Sequence, residues 1–451
     1  SRLRLRSRLL RLRPRRRLRR HRGHSVRVAL RAAAAAIPIY LAACAVPDGG
    51  LFRAARFRDL HIYQGYAEKL LHGALPYRDV FVEYPPGAFA VFLPPDAFGS
   101  DHYNAAFKCL MALCGVATLV LVALVLAELG ASPRRLYAAL LLLALSPVAL
   151  GPISLNTYDA WPALLTVLAL WLLLREREVL GFAVLGLAIT AKVYPLVLVP
   201  LACILVWRRA GRRRVALGLA TLILVAAAVV APFAVYAPHG VFESFRSQAE
   251  RGLQVESLGA SFLLLLDRLG LYDAQVVRTT GVAGRNLVGG AADAIAVASL
   301  VLEALAVATV WVLYARVRDA RAGLPLAFAA AVAGFIAFTK VFSPQYLVWL
   351  VPLVVLAGGA AGAAAVGLAA VALVLAQVWF FHYHALFRIG WPVWLLLARD
   401  AVLVALYAVL AAELTRWKIR IPSRSKTSRH SGLRRSQESW TAAGKGASRS
   451  A

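Results

Sequence analysis

The sequence predicts an all-α membrane protein with many transmembrane helices, and three observations lead to this prediction. Of the 451 residues, 61% are hydrophobic and only 16% are charged, whereas soluble domains carry about 25% charged residues. Apolar runs recur along most of the chain, and several reach the ~20 residues that a helix needs to cross a bilayer. The short segments between these runs are alternately rich and poor in arginine, as in polytopic proteins with cytoplasmic basic connections.

The positive charge is concentrated at the two ends of the chain. The formal net charge is +29, and much of it lies in residues 1–25 and 416–451, which flank apolar segments. We interpret these segments as basic cytoplasmic tails that contact anionic lipid headgroups. Nucleic acid is excluded as a partner, because no basic surface with interleaved aromatic residues is evident.

Residues 26–415 are predicted to form one transmembrane domain with about twelve spans. Residues 179–207 are too long for one span and contain Lys192 near their middle, so two helices meeting at an outer turn over 190–195 are predicted. The other predicted spans are 26–46, 104–127, 136–150, 158–174, 215–236, 291–314, 325–338, 346–357, 361–380 and 391–414.

Two polar outer loops, residues 48–103 and 237–290, are the segments long enough to hold a site. Apolar residues at helical spacing predict an amphipathic surface helix over 60–73, closed by Gly73. Shorter surface helices are predicted over 87–93 and 258–269.

Three carboxylates of the first outer loop are candidates for a functional role. Asp59 directly precedes the predicted helix, so it is either an N-terminal cap or a catalytic acid–base group. Asp79 and Glu83 are either solvated carboxylates, partners of Arg78, or substrate ligands.

The sequence contains no recognisable metal-binding or nucleotide-binding motif. Cys44, Cys109, Cys114 and Cys203 all lie in apolar runs without metal-ligand or disulfide spacing, which indicates packing roles. No glycine-rich phosphate-binding loop is evident.

Five motifs, in order, resemble glycosyltransferase family 87, whose members are polyprenyl-phosphate-dependent enzymes of the GT-C fold. They begin DLHIYQGYAEKLLHGALPYRDVFVEYPPG (59–87) and NTYDAWPALL (156–165) and continue with AKVYPLVLVP (191–200), ERGLQVES (250–257) and FSPQYLVWLVP (342–352). EYPP and SPQY are weak signals alone, but their succession in a twelve-span protein is specific. The resemblance covers most of the chain from Asp59 to Pro352 and excludes the tails.

The resemblance implies an inverting sugar transfer at the extracytoplasmic face, with Asp59 in the position of the family's general base. Cationic groups should face the departing lipid phosphate. The candidates are Lys192, Arg251, Lys340 and His382, all in predicted outer segments.

Each candidate also has a structural interpretation. Lys192 and Lys340 could reach lipid phosphate at the membrane surface, and Arg251 could pair with Glu256. His382 could belong to an interfacial aromatic belt. Asp159 is expected to order its outer turn. The predicted substrate-binding residues are Asp79, Glu83, Tyr84, Glu256, Gln345 and Tyr346.

The resulting hypothesis is a bacterial inner-membrane enzyme with both termini in the cytoplasm. It would transfer a hexose, foremost mannose, from a polyprenyl-phosphate donor to a cell-envelope glycolipid or polysaccharide, with neither a cofactor nor a divalent metal. Alternatives are an arabinofuranosyl donor, a lipid-linked glycan flippase and a non-catalytic assembly subunit. A flippase would be expected to show paired halves and charged groups at the midplane, which the sequence does not show.

Overall fold

The structure is a computed structural model, and it describes residues 25–46, 59–278, 284–381 and 390–419. The predicted tails lie almost wholly outside the described residues. The last described helix continues to Ile419, beyond the predicted domain boundary at residue 415.

The described chain is predominantly helical. The α-helices are α1 Ser25–Ala45, α2 Asp59–Leu71, α3 Phe89–Phe92, α4 Tyr103–Glu128, α5 Pro133–Leu150, α6 Ile153–Asn156, α7 Ala160–Leu174, α8 Glu178–Ala191, α9 Val199–Ala210, α10 Arg212–Tyr236, α11 Pro238–Ala249, α12 Leu258–Arg268, α13 Gly290–Ala315, α14 Ala320–Phe338, α15 Leu347–Val354, α16 Gly359–Phe381 and α17 Pro392–Ile419. Short 3₁₀ helices cover Pro86–Ala88, Pro94–Phe98, Ser100–His102, Tyr194–Leu198 and Pro344–Tyr346.

The all-α polytopic membrane fold is confirmed. Eight helices of the described chain are long and apolar enough to cross a membrane: α1, α4, α5, α10, α13, α14, α16 and α17. Each remaining predicted span also falls on a helix, namely α7, α8, α9 or α15, but these helices are shorter. The division of residues 179–207 is confirmed, because α8 ends at Ala191 and a 3₁₀ helix begins at Tyr194.

Helix α14 lies at the centre of the bundle and α10 at its edge. Alanine and glycine supply much of α14, and 78% of its most apolar window is buried against α13, α15 and α17. In α10 only 6% of the corresponding window is buried, and its main contacts are with α8 and α9. Small side chains allow the close helix approach that α14 requires, whereas α10 presents its apolar surface to lipid.

At one end of the bundle, which we call the basic end, arginines from several connections converge. Arg175 Nη1 and Arg321 Nη2 bind the two carboxylate oxygens of Glu128 at 2.9 and 3.0 Å. Arg209 pairs with Glu178 at 2.8 Å. The connections that the sequence predicts to be basic and on one side of the membrane therefore meet at one end of the protein.

The opposite end, which we call the site end, contains the two polar loops and a small sheet. Strands β1 Leu253–Gln254, β2 Gln275–Arg278 and β3 Arg285–Val288 form an antiparallel sheet in the order β1-β3-β2. The sequence reading did not predict these strands. With two and four residues, they are too short to show an alternating pattern.

The first outer loop is buried more deeply than the prediction of surface helices implied. Helix α2 is formed as predicted, and Gly73 follows it with a φ of 95°. However, Leu60, Tyr63 and Ala67 of α2 belong to the main hydrophobic core. The segment predicted as a surface helix over 87–93 is a 3₁₀ turn followed by α3, and Phe89, Val91 and Phe92 are buried. Aromatic side chains draw both segments into the bundle.

Candidate active site

Asp59 is the first residue of α2, at the site end. The buried face of α2 packs Tyr63 against Phe92 with ring centroids 4.3 Å apart, and Tyr158 meets Tyr63 edge-on at 5.7 Å. These contacts fix the start of α2 against the segments around α3 and α7. A carboxylate in the first turn of a helix also has a favourable interaction with the helix dipole, so the capping role of Asp59 stays a prediction.

The segment around the EYPP motif is held by close backbone contacts. Tyr77 adopts a φ of 65° and its hydroxyl donates a hydrogen bond to the carbonyl of Tyr84 at 2.6 Å. Gln248 of α11 donates to the carbonyl of Glu83 at 3.2 Å, which links the two outer loops. A Cβ on Gly87 would lie 2.6 Å from the backbone carbon of Thr190, so the loop approaches the end of α8 without room for a side chain. Glu83 is thereby buried beside α11.

The turn between α8 and α9 brings Lys192 onto a buried carboxylate. Lys192 Nζ lies 2.6 Å from Asp159 Oδ1, and the indole nitrogen of Trp349 donates to the same oxygen at 2.6 Å. Asp159 is fully buried, whereas the Lys192 side chain retains 14% exposure. Asp159 therefore neutralises and orients Lys192, which extends the predicted turn-ordering role of this aspartate.

Aromatic rings surround the Lys192 ammonium group. Its nitrogen lies 4.6 Å from the ring centre of Tyr158, 4.9 Å from Trp349 and 5.5 Å from Tyr346. Trp349 is stacked between Tyr194 at 4.1 Å and Tyr346 at 4.2 Å. Ring faces carry negative electrostatic potential and stabilise a cation. The stack therefore fixes the position of Lys192 at the site end.

Asp59 shares this electrostatic environment. Burial, followed by the charges of Asp159 and Glu83, raises the pKa of Asp59 to about 7, and Lys192 opposes the rise. Like charges in a poorly hydrated site disfavour a second ionised carboxylate. A carboxyl group with a pKa near neutrality is suited to accept a proton during catalysis. The structure thus brings Asp59, Glu83 and Lys192 together, and the sequence singled out all three.

The second outer loop supplies a further buried carboxyl group, Glu256. Gln254 Nε2 donates to Glu256 Oε2 at 3.3 Å. Burial raises the pKa of Glu256 to about 8, against the opposing charges of Arg399 and Arg251. Arg251 donates to Gln248 Oε1 at 3.3 Å, and its charge acts on both Glu256 and Tyr346. The charge of Arg251 therefore influences both the carboxyl group of the second loop and the aromatic stack.

Arg399 of α17 was missed by sequence reasoning. Its side chain is fully buried and donates to Asp400 Oδ1 through Nε at 2.9 Å and through Nη2 at 2.7 Å, and to the backbone carbonyl of Glu256. The guanidinium lies 4.2 Å from the ring centre of Phe342. The available signal was the Arg399–Asp400 pair inside a predicted span, because charged residues within such spans are usually functional.

The other predicted site residues are placed less centrally. Lys340 Nζ donates to the carbonyl of Ala249 at 2.9 Å, and burial lowers its pKa. Asp79 pairs with Arg78 at 2.9 Å and accepts from the amide of Leu75, in agreement with one of the alternatives above. Gln345 is half-buried in the 3₁₀ helix beside Tyr346. His382 lies outside the described residues.

Metal ligands do not cluster in the part of the chain that the structure describes. Within residues 25–46, 59–278, 284–381 and 390–419, no group of three or more His, Cys, Asp or Glu side chains could hold a metal ion. The described cysteines form no disulfide bond within this part of the chain, with Cys44 and Cys114 buried and Cys109 exposed.

Together, the fold and this site define a polytopic membrane protein. Its candidate site holds Asp59, a carboxyl group of near-neutral pKa, and Lys192, whose ammonium group is surrounded by aromatic rings. The family model for glycosyltransferase family 87 matches residues 81–344, more than half of the 451 residues. The chain belongs to this family and is a membrane glycosyltransferase. The matched region contains Lys192, Arg251 and Lys340 and begins after Asp59.

Comparisons with curated proteins and with solved structures add little to this assignment. No curated protein matches the chain in sequence. Among solved structures, the chain is similar to the crystal structure of ArnT from Cupriavidus metallidurans bound to undecaprenyl phosphate. That similarity has a TM-score of 0.46 and 16% identity, and covers 86% of this chain and 77% of ArnT.

Proposed function

We propose that the protein is a GT-C-type enzyme that transfers mannose from a polyprenyl-phosphate donor to a cell-envelope glycolipid or polysaccharide. The site end faces the extracytoplasmic side of a bacterial inner membrane, and both termini lie in the cytoplasm. Support comes from the family, from the order of motifs and from the separation of the basic end from the site end. Arginine-rich connections are preferentially retained in the cytoplasm.

In the proposed reaction, Asp59 is the general base. Its carboxylate takes the proton from an acceptor hydroxyl while the hydroxyl oxygen attacks the anomeric carbon of the donor. The new carbon–oxygen bond forms as the bond to the lipid phosphate breaks, which inverts the anomeric configuration. The observation that carries this proposal is the half-buried carboxyl group of Asp59, whose pKa is raised to about 7 by desolvation and by the charges of Asp159 and Glu83, against the charge of Lys192.

The departing polyprenyl phosphate gains negative charge, and cationic side chains would stabilise it. Lys192 is held in place by Asp159 and three aromatic rings, and Arg251 lies near Tyr346. We infer that these two groups bind the phosphate, with Lys340 at the periphery. Because they provide positive charge at the leaving group, the transfer is proposed to need no divalent metal.

The test is transfer by the purified full chain in lipid nanodiscs, with polyprenyl-phosphate-mannose as donor, envelope glycolipids as acceptor and EDTA present. Asp59→Asn should lower the transfer rate by ~10²–10⁴-fold, the usual contribution of a general base. Asp101→Asn, an exposed carboxylate in the same outer loop, should leave the rate unchanged.

Two results would contradict the proposal. A wild-type transfer rate in the Asp59→Asn variant would show that Asp59 is not the general base. In sealed proteoliposomes, movement of the donor across the bilayer without mannosylated product or released polyprenyl phosphate would instead identify a flippase.

A further inference from the structure

In the second outer loop, polar side chains from two separate segments meet in a buried cluster. Gln254 lies on β1, Glu256 follows that strand, and Arg399 reaches them from α17. Gln254 Nε2 donates to Glu256 Oε2 at 3.3 Å, and Arg399 donates to the backbone carbonyl of Glu256. We call these three residues the loop-two cluster. All three are buried, with between 0% and 6% of their surface exposed.

The loop-two cluster leaves hydrogen-bonding capacity unused. Gln254 Oε1 and Arg399 Nη1 are buried and have no hydrogen-bond partner in the described part of the chain. An acceptor and a donor removed from water in this way destabilise a protein unless a ligand or an ordered water binds them. Both residues contact Glu256 through their other polar atoms, so the unused acceptor and donor belong to one cluster and suit a polar ligand that supplies both a donor and an acceptor.

Contacts within the protein fix the orientation of the Arg399 side chain without a ligand. Two hydrogen bonds to Asp400 Oδ1 hold one edge of the guanidinium. The rings of Phe342 and Trp379 lie 4.2 and 5.7 Å from its central carbon. A guanidinium that is held on one edge and packed against rings presents its remaining N–H groups in one direction.

Charge in the loop-two cluster indicates which ligand it suits. Asp400 offsets the charge of Arg399 at 2.7 Å, and the raised pKa of Glu256, about 8, keeps this carboxyl protonated near neutral pH. Within the loop-two cluster the charge of Arg399 is therefore largely compensated, and the other cation that acts on Glu256 is Arg251, which we assign to the phosphate. Paired amide, carboxyl and guanidinium groups instead match the alternating donors and acceptors of sugar hydroxyls.

We propose that Gln254, Glu256 and Arg399 form a subsite for the hydroxyl groups of a sugar ring, separate from the phosphate contacts of Lys192. This inference rests on the proposed glycosyl transfer and names the residues that would hold a sugar for it. The charge of Asp59 helps to raise the pKa of Glu256, so the subsite lies within electrostatic range of the candidate base. The ring could be the hexose of the donor or the terminal sugar of the acceptor.

The decisive variant is Gln254→Met in the full chain, which removes the unpartnered oxygen and nearly keeps the side-chain volume. Gln275→Met on β2, an exposed glutamine in the same sheet, is the matched control. Binding is measured for polyprenyl-phosphate-mannose and for polyprenyl phosphate without sugar, and KM is measured for an alkyl mannoside acceptor.

If the loop-two cluster holds the donor sugar, Gln254→Met weakens binding of the mannosylated lipid by about 3- to 10-fold and leaves the sugar-free lipid unchanged. If it holds the acceptor sugar, both lipids bind normally and the acceptor KM rises by a similar factor. Arg399→Lys should act in the same direction. A larger loss of sugar-free lipid binding would overturn the sugar assignment in favour of phosphate.

Failure of this inference is distinguishable from failure of the proposed function. A wild-type chain that does not transfer mannose argues against the function. A wild-type chain that transfers mannose, with Gln254→Met unchanged in lipid binding and in acceptor KM, refutes the subsite alone. Because Arg399 is fully buried, its variant is interpreted only when its thermal midpoint stays near that of the wild type.

Discussion

Asp59 illustrates what a single residue's sequence context can and cannot reveal. Its place before an amphipathic helix allowed both a cap and a base, and only the order of motifs favoured the base. What the sequence could not supply was the desolvation of its carboxyl group and the charges of Asp159 and Glu83, which come from other positions in the chain. The pKa of a carboxyl group depends on such neighbours rather than on its own sequence context.

The pH dependence of transfer should report on Asp59. Because the base must be ionised, kcat/KM should rise with pH, with a midpoint near pH 7, and level off above it. Glu83→Gln removes a charge that raises this pKa, so the midpoint should move to lower pH. Lys192→Met removes a charge that lowers the pKa and should move the midpoint to higher pH.

The control for these shifts is Glu68→Gln, a carboxylate on α2 that Gln64 binds at 2.9 Å. Glu68 is not among the charges that act on Asp59, so the midpoint should stay in place. Identical profiles for the wild type, Glu83→Gln and Lys192→Met would refute the assignment of the midpoint to Asp59.

The Asp159–Lys192 pair makes a separate prediction about stability. Asp159→Asn leaves a poorly solvated ammonium without its counter-ion, and such changes cost about 3–5 kcal/mol. Lys192→Met alone should also destabilise, because it leaves the fully buried Asp159 charge unpaired. The double variant should lose less than the sum of the two single variants.

Denaturant unfolding in detergent measures this double-mutant cycle. Arg78→Met with Asp79→Asn, an exposed pair, provides the control and should show little coupling because solvent screens the two charges. Additive losses in the buried pair would contradict the contact between Lys192 and Asp159.

Arg399 marks the limit of residue-level prediction. Arg399 lies within the predicted span 391–414, and it was not singled out because that span as a whole is hydrophobic. Its link to Glu256 joins residues 143 positions apart. A charged pair within a span indicates that it has a partner, but only the fold shows which loop supplies it.

At the scale of elements, helices followed from the sequence more readily than strands did. Helix α2 and its glycine end were predictable, because the apolar spacing of a helix is local. The sheet was not, because Gln254 on β1 pairs with Asn286 on β3, which lies 32 positions further along the chain. Its register depends on the folding of the entire second outer loop.

The close approach of the EYPP segment to α8 can be tested at Gly87. A Cβ on Gly87 would lie 2.6 Å from backbone and side-chain atoms of Thr190, so Gly87→Ala must displace the loop or the end of α8. Overpacking of this kind costs about 1–3 kcal/mol, and the displacement should also reduce transfer by moving Glu83 and Lys192.

The matched substitution is Gly65→Ala on α2, where an added Cβ would meet no atom within 4 Å. Removing a glycine from a helix should stabilise it by about 1 kcal/mol. Thermal unfolding and transfer rates measure both variants. Equal behaviour of the two variants would show that the contact between Gly87 and Thr190 is not tight.

At the scale of the whole molecule, arginine placement predicted which connections meet. The segments around Arg175, Arg209 and Arg321 converge on Glu128 and Glu178. The structure thus separates a basic end from a site end. The sequence could not give the packing order, in which α14 is central and α10 peripheral.

Cysteine labelling tests the orientation of these two ends. In a variant without native cysteines, Asp101→Cys at the site end should react with a membrane-impermeant maleimide in intact cells. Arg213→Cys, at the start of α10, should react only after permeabilisation. Both positions are exposed in the structure. The reverse pattern would place the site in the cytoplasm.

The sharing of one Asp159 oxygen by Lys192 and Trp349 also has an evolutionary consequence. Each partner lies 2.6 Å from that oxygen, so replacing any one of the three leaves a buried group without its bond. Single substitutions should therefore be rare among descendants of this protein, and coordinated changes at all three positions should be favoured. In a lineage that has lost Lys192, we expect the aspartate and the tryptophan to have changed as well.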